Sequence, residues 1–230
     1  MKLLLLHSPL VGSGTWRLLT PILRAHSHDV CVADFSPVMA GHGPYYAALI
    51  DTACALIDDP RNMVLIAHSA AGVLIPAVVE QSGAASAVFV DALLPHPGRS
   101  WLMTAPHSLC SRLENLSRGG RVPPWHLWWP KGAIESLFKK SGAFETFANE
   151  LNDLPLAYFS EIAPPHALAP NFPGAYLQLS AGYEAESAIA ERKGWPVRRL
   201  ARHHLAMLTD PNQVADGLEE LLQAIKSDRA

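Results

Sequence analysis

Short, almost wholly apolar runs recur along this 230-residue chain, and stretches of helical character lie between them. Leu3-Leu4-Leu5-Leu6, Val64-Leu65-Ile66-Ala67 and Val88-Phe89-Val90 have no polar residue at alternate positions. A strand with one wet face alternates apolar and polar residues, whereas a strand covered on both faces does not. The pattern therefore predicts βαβ units and a mostly parallel sheet of about six strands with helices on both faces, an α/β class. The strands are expected at Lys2–His7, Asp29–Ala33, Met63–His68, Ala87–Asp91, Ala175–Leu179 and Pro196–Leu200. Helices are expected near Thr15–Ala25, Tyr45–Asp58, Ala70–Ser82, Glu184–Arg192 and Pro211–Ile225. Asp210 followed by Pro211 is a strong helix start, because proline in the first turn gives up an N–H that has no partner there anyway.

Residues from Pro95 to Pro173 break the alternation and hold many of the prolines and tryptophans, including Pro123-Pro124-Trp125-His126-Leu127-Trp128-Trp129-Pro130. Two helical patches, Gly132–Lys140 and Ala143–Leu151, lie inside. A stretch this long exceeds a plain crossover. It predicts a single domain, 1–230, with residues 96–172 inserted as a mainly helical cap before the penultimate strand.

Charged residues make up only 17% of the chain and the net charge is −3, so no basic face recommends a nucleic acid or an anionic membrane as partner. No stretch approaches the ~20 apolar residues of a membrane span. The Lys2–Leu6 run is too short for a signal peptide, and His7-Ser8-Pro9 breaks it without a cleavage site. Cys31, Cys54 and Cys110 are odd in number and widely spaced, which fits reduced thiols. These features together predict a cytoplasmic protein with a small-molecule partner and leave its oligomeric state open.

The segment Val64-Leu65-Ile66-Ala67-His68-Ser69-Ala70-Ala71-Gly72-Val73-Leu74 carries the chemistry. An apolar strand ends at His68, Ser69 sits on the turn and helical residues follow at once. A sharp strand–serine–helix turn crowds its neighbours, so Ala67, Ala71 and Gly72 suit it. Such a turn lifts the hydroxyl above the sheet edge and aims the Ala70 N–H at a developing oxyanion. A serine that merely caps a helix would look similar; the rest of the chain argues against that.

On these residues the chain resembles the α/β-hydrolase superfamily along nearly its whole length. His7-Ser8-Pro9-Leu10 through Trp16 resembles the His-Gly loop after the first core strand, and Ala67–Gly72 the nucleophile elbow, relaxed from G-x-S-x-G to A-x-S-x-A. Val88-Phe89-Val90-Asp91 resembles the following strand, and His204-Leu205-Ala206-Met207 with Asp210-Pro211 the catalytic-histidine loop and final helix. The resemblance implies a minimal version of the fold that begins on its first parallel strand. It also implies Ser69 as nucleophile and His204 as base; His204 is preferred over His203 because the His-x-x-Met spacing matches, with Met207 packed beneath the loop.

The acid stays open among Asp91, Glu184, Glu186 and no acid at all. Ala175–Tyr183, where many members carry it, has no carboxylate, and Glu184 and Glu186 come next. Asp91 ends the strand after the nucleophile helix, as the acid does in the thioesterase branch. A carboxylate ending an apolar strand is hard to solvate, which favours a hydrogen-bonded role such as holding an imidazole tautomer. Asp91 is the leading candidate and Glu184 the alternative.

One departure concerns the oxyanion. The loop positions that resemble the family's glycine and its following donor are Ser8 and Pro9, and proline has no N–H. Leu10 N–H, or a hydroxyl of Ser8 or Ser13, is then the expected substitute. Trp125, Trp128 and Trp129 offer broad apolar surface to a substrate, and His7 is expected to orient the oxyanion loop or contact substrate. The expected activity is a serine hydrolase, esterase- or thioesterase-like, cleaving an ester or thioester of an apolar or aromatic small molecule, with no metal or organic cofactor implied. The competing reading is a lyase, cyclase or decarboxylase on the same fold with His204 as acid–base; a ligand-binding protein without turnover is the third.

Overall fold

The structure is a computed structural model that describes residues 1–138 and 142–228. Its strands are β1 (Lys2–Leu6), β2 (Asp29–Val32), β3 (Met63–His68), β4 (Ser86–Val90), β5 (Arg121–Val122), β6 (Leu154–Pro155), β7 (Gly174–Gln178) and β8 (Val197–Arg199). Six of them form one sheet in the order β2-β1-β3-β4-β7-β8, with every pairing parallel. β5 and β6 make a separate antiparallel pair. The six expected strands match these to within one residue at either end. β8 departs from the uniform apolar pattern: Arg198 and Arg199 are exposed because the strand forms an edge, and they pair with Glu220 and Glu191.

The helices are α1 (Leu19–Ala25), α2 (Ser36–Ala40), α3 (Tyr45–Cys54), α4 (Ile75–Ser82), α5 (Trp101–Thr104), α6 (His107–Leu116), α7 (Phe144–Asn149), α8 (Leu156–Ser160), α9 (Glu184–Arg192) and α10 (Pro211–Asp228). The sheet order explains their layers. The β1-to-β2 step runs one way across the sheet and the β2-to-β3 step runs back, so right-handed crossovers put α1 and α3 on opposite faces. Accordingly α1 packs with α10, and α3 packs with α4. The core between them includes Leu4, Leu5, Val64, Leu65, Val88 and Phe89, all essentially inaccessible to solvent.

Two helix expectations need correction. The stretch Ala70–Ser82 begins as a 3₁₀ turn, Ser69–Leu74, and becomes α-helical only at Ile75. Pro76 has no N–H to give to residue 72, so the four-residue ladder takes hold only beyond it. Likewise Thr15–Ala25 splits into a 3₁₀ turn, Ser13–Trp16, and the α-helix α1. The Gly132–Lys140 patch contains a 3₁₀ turn at Glu135–Phe138, while its Lys139 and Lys140 lie outside the described residues.

The connection between β4 and β7 carries α5 to α8 and the β5–β6 pair. It is anchored to the sheet layers by charge as well as by packing. The Glu161 carboxylate accepts hydrogen bonds from Tyr45 N–H (2.7 Å) and Tyr46 N–H (2.8 Å) at the start of α3. Those donors would otherwise be orphans of the first helical turn, where a negative charge is also favoured by the helix dipole.

Candidate active site

Ser69 follows β3 with φ at +57°, a left-handed backbone that non-glycine residues rarely adopt. The positions around it are correspondingly small: Ala67 and Ala71 are fully buried, and Ala70 nearly so. Gly72 has a harder requirement, because a Cβ there would lie 2.1 Å from the Leu93 carbonyl oxygen. The chain after β4 is drawn onto the elbow by a hydrogen bond from Leu93 N–H to the Ser69 carbonyl, 3.0 Å. That close approach explains the glycine at position 72.

Asp91 follows β4, the strand paired with β3, and it too has a positive φ, +43°. Its carboxylate is completely buried and fully occupied. Oδ1 accepts from Leu179 N–H (2.8 Å) and Ser180 N–H (3.0 Å), and Oδ2 from the Ser180 hydroxyl (2.6 Å) and His204 Nδ1 (2.8 Å). Four hydrogen bonds compensate a charge that would otherwise be costly in this position. Glu184, the alternative acid, is exposed in the first turn of α9, and the His204 nitrogen it would need is taken by Asp91.

His204 lies on the loop after β8, and Leu205, Ala206, Met207 and Leu208 anchor that loop as fully buried residues. His203 faces elsewhere, its Nε2 2.9 Å from the Thr209 hydroxyl. The His204 imidazole is bordered by three rings: His68 at 4.5 Å, Tyr183 at 5.0 Å and Trp125 at 6.2 Å between centroids. His68 is fully buried, and burial holds its pKa well below the usual histidine value. Its neutral ring carries one proton, placed on Nε2 by the His204 carbonyl oxygen 3.1 Å away. The residue before Ser69 thus fixes the backbone of the loop that carries His204.

Ser69, His204, Ala70 and Leu10 line one cavity of about 590 Å³ at the carboxyl ends of the strands. Trp125, Trp128 and Trp129 line it as well, as do Trp101, Tyr183 and Glu186. The wall is otherwise mostly apolar, and among the described residues no lysine or arginine lines it. Glu186 is half-buried and its carboxyl is shifted upward, first by burial and also by the Asp91 charge. A concavity of similar size near Met1, Lys2, Asp59 and Lys226 lies around the opposite ends of the strands, and it contains no serine–histidine pair.

Two expected site residues have other duties. His7 is fully buried but does not line the cavity. Its Nδ1 faces the Ser8 carbonyl (2.8 Å), within the loop it is expected to orient, and its Nε2 accepts the Phe35 N–H (2.9 Å), which ties that loop to the one after β2. Leu10 does reach the cavity, yet its N–H points to the Ser8 hydroxyl at 3.3 Å.

Tyr183 is the site residue that the sequence reading did not assign. It ends the 3₁₀ turn Ala181–Tyr183, stacks on the His204 imidazole with an interplanar angle of 5°, and places its hydroxyl 3.3 Å from Ser69 Oγ. Burial raises its phenol above the ordinary value, so the hydroxyl keeps its proton. Trp101, on a short helix capped by Ser100 and apart in sequence from the Trp125–Trp129 cluster, also lines the cavity.

No family model and no curated protein matches the chain at the level of sequence. Solved structures do. An extracellular α/β-hydrolase from a Paenibacillus species, described as sharing structural and functional homology with tobacco salicylic acid binding protein 2, superposes with a TM-score of 0.77 at 18% identity, covering 96% of this chain and 98% of its own. A pyrethroid hydrolase from Sphingobium faniae gives 0.69 at 16% identity, covering 97% and 98%. A methylketone synthase I variant from tomato, complexed with β-ketoheptanoate, gives 0.64 at 15% identity, again covering 97% and 98%. With the parallel sheet order and the serine elbow already described, these likenesses identify the architecture: the chain has the α/β-hydrolase fold.

Proposed function

We propose that the protein is a serine hydrolase that cleaves esters of apolar, uncharged small molecules. The observation that carries this reading is the Asp91–His204 contact. A buried carboxylate held by three other donors orients an imidazole by its Nδ1, which leaves Nε2 to act as the base; His204 and Ser69 line one cavity, in which Ser69 Oγ meets the Tyr183 hydroxyl.

In the proposed reaction, Ser69 Oγ attacks the carbonyl carbon while His204 Nε2 takes its proton. The Ala70 N–H supports the oxyanion. Collapse of the tetrahedral intermediate breaks the acyl–oxygen bond, and the imidazolium delivers its proton to the departing oxygen. Water then repeats the sequence on the acyl-enzyme. Asp91 keeps the proton of the resting imidazole on Nδ1 and offsets the positive charge that forms. The β4–β7 connection acts as the cap over this chemistry, supplying Trp101, Trp125, Trp128 and Trp129 to the substrate. A mostly apolar cavity that carries one carboxyl and, among the described residues, no cationic side chain favours a neutral substrate over an anionic one.

The test is labelling with a fluorophosphonate probe. Ser69 is expected to be the modified residue, and Ser69→Ala is expected to abolish both labelling and p-nitrophenyl ester turnover. A folded wild-type protein that neither labels nor turns over would remove the hydrolytic reading.

A second reading has its own support. Pro9 lacks an N–H and the Leu10 N–H faces Ser8, which leaves the oxyanion with fewer donors than acyl transfer prefers. A non-hydrolytic acid–base role for His204, in a lyase or decarboxylase, would need less. Under it, His204→Ala abolishes activity while Ser69→Ala costs far less.

A further inference from the structure

A tetrahedral intermediate on Ser69 carries two oxygens besides Oγ, and the elbow treats them differently. The oxyanion turns toward the Ala70 N–H. The departing oxygen must turn toward His204 Nε2, because that nitrogen supplies the proton it leaves with. Any group that accompanies the imidazole therefore accompanies the second oxygen. Tyr183 is such a group: its ring lies parallel on the His204 ring, 5.0 Å between centroids, and its hydroxyl already reaches Ser69 Oγ at 3.3 Å.

We propose that the Tyr183 hydroxyl is a catalytic hydrogen-bond donor to the departing oxygen, and that the enzyme is thereby matched to oxygen esters of simple alcohols rather than to thioesters or esters of acidic phenols. This assignment rests on the hydrolytic reading above and deepens it. In the step concerned, the acyl carbon–oxygen bond breaks and its electron pair goes to the alcohol oxygen. The proton comes from His204 Nε2, and Tyr183 keeps its own proton while its hydrogen bond shortens onto the growing negative charge. Before substrate arrives, the same hydroxyl holds Ser69 Oγ.

The choice of leaving group follows from where charge accumulates. A departing alkoxide concentrates negative charge on one oxygen and gains most from a donor aimed at it. A nitrophenoxide spreads that charge into its ring. A thiolate leaves readily and its sulfur is a weak hydrogen-bond acceptor. The raised phenol value keeps Tyr183 a donor throughout the working range of such an enzyme. Gly182 and Ala185, beside it in the cavity wall, contribute no side-chain donor that could stand in for it.

The experiment compares Tyr183→Phe with wild type on three substrates sharing one acyl group: an ethyl ester, a p-nitrophenyl ester and an ethyl thioester. Phenylalanine keeps the ring on the imidazole. All three substrates meet the same protein sample, so the ratios do not depend on the fraction folded. We expect kcat/KM for the ethyl ester to fall about 10- to 100-fold, the worth of a hydrogen bond to a charged oxygen, and the other two to change by less than about threefold. Equal losses on all three would assign Tyr183 to the oxyanion or to structure and overturn the proposal. No loss on the ethyl ester would overturn it too. If wild type is labelled by fluorophosphonate, either outcome counts against Tyr183 alone. If wild type is neither labelled nor active on any of the three, the hydrolytic reading falls and this assignment falls with it.

Discussion

Asp91→Asn keeps the shape of the side chain and removes its charge, and the surroundings dictate how the new amide must turn. Oδ1 faces two backbone donors, Leu179 N–H and Ser180 N–H, which cannot rotate away. The amide oxygen must take that place, so the NH₂ group faces the Ser180 hydroxyl and His204 Nδ1. The hydroxyl can turn round and accept. The imidazole can accept only by moving its proton to Nε2, and an Nε2–H has no lone pair to receive the Ser69 proton. Asparagine also tolerates a φ of +43°, so the backbone gives no separate reason for damage. The lost charge-assisted hydrogen bond accounts for roughly 1.5–3 kcal/mol, about 10- to 150-fold in rate. The inverted tautomer adds to this, and the equivalent exchange in serine proteases costs on the order of 10⁴. We therefore expect kcat/KM for an ester to fall about 10³- to 10⁴-fold while the protein stays folded. The assay is ester hydrolysis across pH 5 to 10 for both proteins, with fluorophosphonate labelling rates measured alongside. A folded Asp91→Asn protein within about tenfold of wild type would refute the assigned role of the carboxylate.

Further outcomes follow from the same geometry. Gly72→Ala drives a Cβ toward the Leu93 carbonyl, which is backbone and cannot swing aside; we expect a loss of roughly 1–3 kcal/mol or more in urea titration, and an unchanged midpoint would contradict the crowded elbow. His68 stays neutral in the folded protein but titrates near 6.5 once unfolded, so the unfolded chain alone gains a proton as pH falls below about 6.5. Stability should decline there by up to about 1.4 kcal/mol per pH unit until the folded value is reached. His96, His126 and His203 are shifted the same way, so the check is the pH 7 to pH 5 difference in wild type against His68→Leu, which should be smaller in the variant. Glu186→Gln removes a negative charge from the cavity; neutral esters should change by less than about threefold, whereas esters with an added carboxylate should improve roughly 5- to 30-fold relative to them. An unchanged ratio would mean that the carboxyl does not face the substrate.

The sheet was legible because its strands announce themselves by composition: a run such as Val64-Leu65-Ile66-Ala67 is buried on both faces and reads that way. Ser69 and Asp91 were legible for a related reason, each being a polar residue at the end of an apolar strand, where only a specific hydrogen-bonding role makes the cost tolerable. For His7 that reasoning left two uses open, holding the loop after β1 or meeting a ligand, and the ring contacts that loop while staying out of the cavity. A buried histidine at a strand end is satisfied as well by the Ser8 carbonyl and the Phe35 N–H as by a ligand, and nothing local distinguishes the two. Tyr183 was hidden more deeply. Its partners, Ser69 and His204, lie on other connections, and its role depends on the direction in which a short turn throws one ring. The 3₁₀ start after Ser69 could have been foreseen from Pro76, whose missing N–H forbids an early α-helical ladder.

β4 and β7 are neighbours in the sheet although residues 91–173 separate them along the chain. Because the two strands run parallel, the intervening polypeptide leaves at the carboxyl end of β4 and re-enters at the amino end of β7, and the strand pairing itself does not dictate its length. A chain built this way can have that excursion recast, lengthened or exchanged for another while Ser69, His204 and Asp91 keep their mutual distances. Under the proposed function, selectivity and reactivity become separately adjustable properties, the first written in the excursion between two adjacent strands and the second in the rim of the sheet.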